Sequence, residues 1–156
     1  MSKPACILLV EDNRMDVELT LDAFREVRLG HRVEVAGNGQ QALDYLRGCG
    51  VYADRQRFPL PDLILLDLKM PGIDGFEVLR RVKAEPRLKR IPVVVLTSSM
   101  EEGDRALSYD SGANSYLLKP LYFEGFLGVV RTIQEYWLRL NVSPPPLAGS
   151  AVAAGI

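Results

Sequence analysis

A chain of 156 residues has room for one domain with a substantial core and is cramped for two. Hydrophobic residues make up 47% and charged residues 25%, which excludes a chain disordered throughout. Lys and Arg total 19 against 20 Asp and Glu, a net charge of -1 with no basic stripe, so no nucleic-acid binding is expected.

The first element is the unbroken apolar run Ala5-Cys6-Ile7-Leu8-Leu9-Val10, the mark of a strand buried on both faces. Only six apolar residues precede Glu11, too few for a secretory leader or a membrane span, so no targeting segment is expected. A helix is predicted over Arg14 to Val27, with Val17, Leu21 and Phe24 on one face. Arg32 to Ala36 alternates like an edge strand, and Gly39 to Arg47 carries Ala42, Leu43 and Leu46 at helical spacing. Cys49 to Pro61 has no period and reads as a long surface loop.

Leu63 to Leu66 predicts a third strand ending at Asp67, and Gly75 to Ala84 a third helix that stops ahead of Pro86. Ile91 to Leu96 repeats the buried-strand pattern, with Pro92 near its start where a missing N–H is tolerated. Glu101 to Tyr109 and Tyr122 to Leu138 are predicted helices on either side of a short strand, Asn114 to Leu118. The stretch from Ser143-Pro144-Pro145-Pro146 to Ile156 has neither apolar period nor charge, and is expected to be a flexible tail. The alternation is that of βαβ units wound into a doubly covered parallel sheet of five strands with five surrounding helices.

Ligands of such sheets bind beyond the carboxyl ends of the strands, where strand order reverses. Glu11 and Asp12 follow the first strand, Asp67 the third, Thr97-Ser98-Ser99 the fourth and Lys119-Pro120 the fifth, all on that one edge. With right-handed crossovers and the order 2-1-3-4-5, strands one and three are neighbours, so Glu11, Asp12 and Asp67 should converge. Two carboxylates about 4 Å apart repel by roughly 4 kcal/mol at an effective dielectric near 20, so the cluster demands positive charge. Lys119 supplies one; Mg2+, which prefers oxygen ligands, would supply two more. A carboxylate in that setting, with the Thr97 hydroxyl and the Lys119 ammonium nearby, suits nucleophilic acceptance of a phosphoryl group, with Asp67 as acceptor.

The motifs Leu9-Val10-Glu11-Asp12-Asn13, Leu66-Asp67-Leu68-Lys69-Met70-Pro71-Gly72-Ile73-Asp74-Gly75, Leu96-Thr97-Ser98 and Gly112 to Pro120 resemble, in order and spacing, those of two-component response regulator receiver domains. The resemblance covers about residues 5 to 138 and implies a flavodoxin-like fold. By it, Asp67 takes a phosphoryl group from a sensor histidine kinase. Asp12, Asp67 and the backbone carbonyl of Lys69 would hold Mg2+, with Glu11 acting through water. Thr97 and Lys119 would contact the phosphoryl oxygens, joined by backbone N–H groups near Leu68 and Ser98. Tyr116 would be an aromatic switch coupled to Thr97, and Lys119-Pro120 a cis peptide that aims the ammonium.

Residues 1–140 would then form the receiver domain, and 141–156 a Pro- and Ala-rich tail in place of an output domain. Glu11 stands where Asp is frequent in the family, which bears on magnesium affinity. Lys69 and Ser99, two residues beyond Asp67 and Thr97, occupy positions that tune water access to the acyl phosphate. The loop before strand three and both ends of helix five resemble single-domain regulators paired with bacterial phytochromes, which implies a phytochrome-type kinase. It also implies a homodimer through the face of helix four, strand five and helix five, where Tyr109, Tyr116, Tyr122 and Tyr136 lie.

Plainer readings exist for several of these residues. Asn13 and Asp12 could simply cap helix one, Thr97 and the serines after it helix four, and Asp74 helix three. Phe126, Val129, Val130, Ile133 and Trp137 are expected to be core. His31, the one histidine, sits at the amino end of the sheet as a surface residue, which removes zinc and Ser-His-Asp readings. Cys6 and Cys49 make no disulfide framework, consistent with a cytoplasmic setting. Four functions compete: a phospho-switch, not an enzyme; a phosphatase with an Asp nucleophile, disfavoured because Lys69 stands where a second acid is needed; a mononucleotide binder, disfavoured because Glu11 and Asp12 repel phosphate; and a phosphate sink or pseudo-receiver.

Overall fold

The computed structural model describes residues 4–27 and 30–145. Five strands, β1 (Cys6–Val10), β2 (Arg32–Ala36), β3 (Leu63–Leu66), β4 (Val93–Thr97) and β5 (Ser115–Leu118), alternate with helices α1 (Arg14–Val27), α2 (Gly39–Arg47), α3 (Gly75–Ala84), α4 (Glu102–Asp110) and α5 (Phe123–Glu135). All strands pair parallel in the order β2-β1-β3-β4-β5. The reversal expected between strands one and three is therefore present, with Val10 paired to Leu66 at its carboxyl end. Among the described residues no helix is long and apolar enough to cross a membrane.

Each unbroken apolar run became a strand whose side chains go alternately to two cores. Leu8, Val10, Ile64, Leu66, Val93 and Val95 face α2 and α3, meeting Leu43, Leu46, Val78 and Leu79. Ile7, Leu9, Leu63, Leu65 and Val94 face α1 and α5, meeting Phe24, Phe126, Val130 and Ile133. Burying each such side chain contributes roughly 1.5–3 kcal/mol, so a one-residue slip in any central strand would exchange partners on both faces at once. That double constraint fixes how far each strand projects its terminal acid.

Several expectations need correction. The segment from Cys49 to Pro61 is not a featureless loop: it contains a 3-10 turn at Gly50–Ala53 and folds Tyr52 and Phe58 onto Tyr45 of α2, with ring centroids 5.1 and 6.0 Å from Tyr45. Arg55 secures it by donating to the carbonyls of Tyr45, Leu46 and Phe58, contacts with no periodic signature. Helix five is α-helical only to Glu135 and finishes in a wider π-type turn, Tyr136–Leu140, closed by the Asn141 N–H on the Tyr136 carbonyl at 2.6 Å.

His31 is half-buried, not a free surface residue. Its Nδ1 accepts from Ala5 N–H at 2.8 Å, so its Nε2 carries the proton and donates to Gln134 at 2.5 Å. The expected tail is described only as far as Pro145, whose carbonyl accepts from Arg90 at 3.1 Å. Beyond Pro145 that expectation lies outside the described residues.

Candidate functional site

The site is assembled by ladder bonds continuing past the strand ends. Asp67 N–H donates to Val10 C=O at 3.0 Å, Glu11 N–H to Ala36 C=O at 3.0 Å and Lys119 N–H to Thr97 C=O at 2.8 Å. Three sequence-distant segments are thereby held on one rim. Carboxylate oxygens of Glu11, Asp12 and Asp67 all lie within 4.8 Å of one another, with Glu11 and Asp67 buried and Asp12 exposed. The backbone after Asp67 is pressed against the start of α3, where Asp74 caps the helix by accepting from Glu77 N–H at 3.0 Å. A Cβ on Gly75 would sit 2.6 Å from Leu68 Cα and collide with the Asp67 carbonyl oxygen. Only glycine lets α3 approach so closely.

Lys119 reaches the acids from the end of β5. Its ammonium is 2.5 Å from Glu11 Oε1, 2.8 Å from Asp16 Oδ2 and 3.3 Å from Asp67 Oδ2. The Lys119–Pro120 peptide is trans, because no cis bond occurs among the described residues. The expected cis geometry is therefore overturned: the β4-to-β5 ladder bond already directs Lys119 into the acids. Pro120 instead packs under α5, where a Cβ on Gly125 would come 3.1 Å from its Cγ and clash with its Cβ.

Asp16, a fourth acid, was not anticipated. It lies in the first turn of α1, where an acid ordinarily serves the helix N-terminus, so the sequence carries no separate signal for it. Asn13 caps that helix by accepting from Asp16 N–H at 3.0 Å, and its own N–H donates to Glu11 Oε2 at 3.1 Å.

Burial pushes the Glu11 carboxyl up to about 7, opposed by its hydrogen bond to Lys119 and reinforced by the charge on Asp67. For Lys119, burial alone would lower the ammonium, but hydrogen bonds to Asp16 and Glu11 and the charge of Asp67 hold it above the ordinary lysine range. One ammonium thus serves three acids. The donor set consists of oxygens only and is short of positive charge, which fits a hard divalent cation such as Mg2+.

The remaining sequence-predicted residues lie in the segments after β3 and β4 and on β5. Leu68 N–H donates to Asp67 Oδ1 at 2.8 Å, and Thr97 is fully buried, its Oγ1 accepting from Ser99 N–H at 3.3 Å. Ser98 is exposed beside it. Neither Thr97 nor the serines after it cap α4, whose N-cap residue is Glu101 and lacks a side-chain cap bond; Ser99 Oγ accepts from Glu101 N–H at 3.3 Å. Tyr116 packs against the α2–α3 core, and its hydroxyl donates to Ser99 C=O at 2.9 Å. Lys69 sits in the turn after Asp67, but its side chain leaves the acids for Asp104 on α4, 3.0 Å away.

A cleft of about 530 Å³ lies elsewhere, beside Arg47, Arg55, Glu85 and Arg87. Its charges are partly spent, with Arg47 paired to Glu85 at 2.7 Å and Arg55 on backbone carbonyls.

Residues 7–131 match the family described as "Response regulator receiver domain". Over 143 residues the chain is 46% identical to the "Probable methanogenesis regulatory protein FilR2" of Methanothrix harundinacea, covering 92% of this chain and 90% of that protein. It is 39% identical to "Response regulator Rcp1" of Synechocystis over 141 residues, 90% of this chain and 94% of that one. Among solved structures, the phosphorylated cyanobacterial phytochrome response regulator RcpA superposes with a TM-score of 0.85 at 41% identity, covering 92% of this chain and all of that one. The Mn(2+)-bound form of Rcp1 gives 0.81 at 39% identity, covering 91% of this chain and all of that one.

Proposed function

The chain belongs to the response regulator receiver domain family, and we propose that it is a phospho-switch whose acceptor is Asp67 and whose phosphodonor is a sensor histidine kinase. The observation that carries this reading is the Lys119 ammonium held 3.3 Å from Asp67 within the cluster of Glu11, Asp12 and Asp67. An Asp67 oxygen attacks phosphorus, the P–N bond to the kinase histidine breaks, and the imidazole keeps the electron pair. Lys119 and the Thr97 hydroxyl then bind phosphoryl oxygens, together with the Leu68 and Ser98 backbone N–H groups. Mg2+, held by Asp12, Asp67 and the Lys69 carbonyl with Glu11 acting through water, would supply the charge that lets a phosphoryl group enter among carboxylates.

Tyr116 serves as the aromatic switch coupled to Thr97 in this reading, supported by its hydroxyl bond to the Ser99 carbonyl in the segment that follows Thr97. The output surface in this reading is the face of α4, β5 and α5, used for homodimerisation. Leu107, Tyr109, Leu118 and Tyr122 are 47%, 50%, 48% and 74% exposed on these elements, which supports that reading. A phytochrome-type kinase is the donor favoured by the likeness to RcpA. Residues 1–140 serve as the receiver unit, working in the cytoplasm with both cysteines free.

Incubation with a small-molecule phosphodonor and Mg2+ tests the reading. A single stable phosphate that requires both Asp67 and the metal supports it. Continuous donor consumption identifies a phosphatase, and no incorporation identifies a pseudo-receiver.

A further inference from the structure

Asp104, on the first turn of α4, lies outside the acid pocket yet touches both of its flanks. One of its oxygens, Oδ2, accepts from Ser99 Oγ at 2.6 Å and pairs with Lys69 Nζ at 3.0 Å. Lys69 stands two residues beyond Asp67, and Ser99 two beyond Thr97. The Ser99 backbone is tied in turn to Thr97 Oγ1 and to the Tyr116 hydroxyl. A single carboxylate therefore anchors the start of α4 to the loops that carry the acceptor and its hydroxyl partner.

Resting on the phosphoacceptor reading, we infer that Asp104 is a positioning residue that competes with the phosphoryl group for Lys69. The Lys69 side chain is 58% exposed, so its exchange between partners costs little desolvation. A phosphoryl group two residues away carries more negative charge than one carboxylate and draws the same ammonium. While Asp104 retains Lys69, the acyl phosphate stays open to water. In hydrolysis, the water oxygen bonds to phosphorus, the bond to the Asp67 oxygen breaks, the carboxylate is regenerated and phosphate leaves with the proton. When Lys69 moves to the phosphoryl group it covers that approach and surrenders its hold on α4. Phosphate lifetime and the anchoring of α4 are set by the same ion pair.

The full chain, loaded with a small phosphodonor and Mg2+ and then freed of donor, is followed by intact mass as phosphate is lost. Asp104→Asn slows the loss by about three- to fivefold, the scale of an exposed ion pair. Asp104→Glu restores the original rate, and 1 M salt narrows the difference by screening, the Debye length there being about 3 Å. In the Lys69→Ala background, Asp104→Asn changes nothing, which separates competition for the ammonium from a merely structural role. An unchanged rate in Asp104→Asn overturns the inference, as does an effect that survives in Lys69→Ala. Absence of any phosphate on the unsubstituted chain is a separate outcome, which removes the phosphoacceptor reading and this inference with it.

Discussion

Two lysines, one at each end of the sheet, show how similar positions are put to different uses. Lys83, near the amino end of β4, donates to the carbonyls of Lys89 and Ile91 and to Asn114 Oδ1 at 2.9–3.2 Å. Burial lowers its ammonium, and its oxygens are neutral. Lys119, at the carboxyl end, faces three carboxylates and is held above the ordinary range. Elsewhere along the amino end of the sheet polar groups find partners within the fold: Asp62 takes Cys6 N–H, and His31 bridges Ala5 and Gln134. Around Lys119 acids outnumber cations. Matched polarity closes a fold; unmatched charge at a rim is a site waiting for a partner.

The largest expected effect separates the two ends outright. Asp67→Asn removes the acceptor oxygen while leaving an isosteric amide, so phosphate incorporation falls to nothing with the fold retained, read by mass and circular dichroism. Gly75→Ala comes next. The added methyl drives α3 against the Asp67 backbone, costing about 3–4 kcal/mol in urea unfolding and slowing phosphate uptake through the same displacement. Lys83→Met should cost about 1–2 kcal/mol by taking the donor from the Lys89 and Ile91 carbonyls, Asn114 Oδ1 keeping its bond from Val93 N–H, with uptake unchanged. If Lys83→Met impaired uptake as Gly75→Ala does, the division between the two ends would be wrong.

The same division explains what was readable in the chain. β2, α1, α2 and α3 have the bounds that periodicity predicts, because their apolar faces repeat at the spacing of the element. The rim acids were readable because strand ends must project there. Asp16 was not, since a helix acid ordinarily faces water, and only the tertiary approach of Lys119 gives it a partner. Arg55, Tyr52 and Phe58 were unreadable for a related reason: their contacts close a loop onto α2 with no repeat to betray them. Where contacts are local and periodic the sequence declares them. Where one side chain meets three segments it does not.

The smallest effect concerns pH and sharpens the contrast most directly. Glu11 binds its proton up to about pH 7 in the fold, against an ordinary value of 4.5 in the unfolded chain. Between those values the native protein holds a proton the unfolded chain has released, so without divalent metal this group makes stability fall as pH rises through 7. Glu11→Gln cannot titrate and should lack that slope; thermal melts of both proteins at pH 5 and pH 8 read the difference. Magnesium favours the ionised carboxylate, so it should narrow the gap at pH 8 and leave pH 5 nearly unchanged. Parallel profiles for the two proteins, with or without magnesium, would mean that the acids at this rim are as fully matched as the polar groups at the amino end of the sheet.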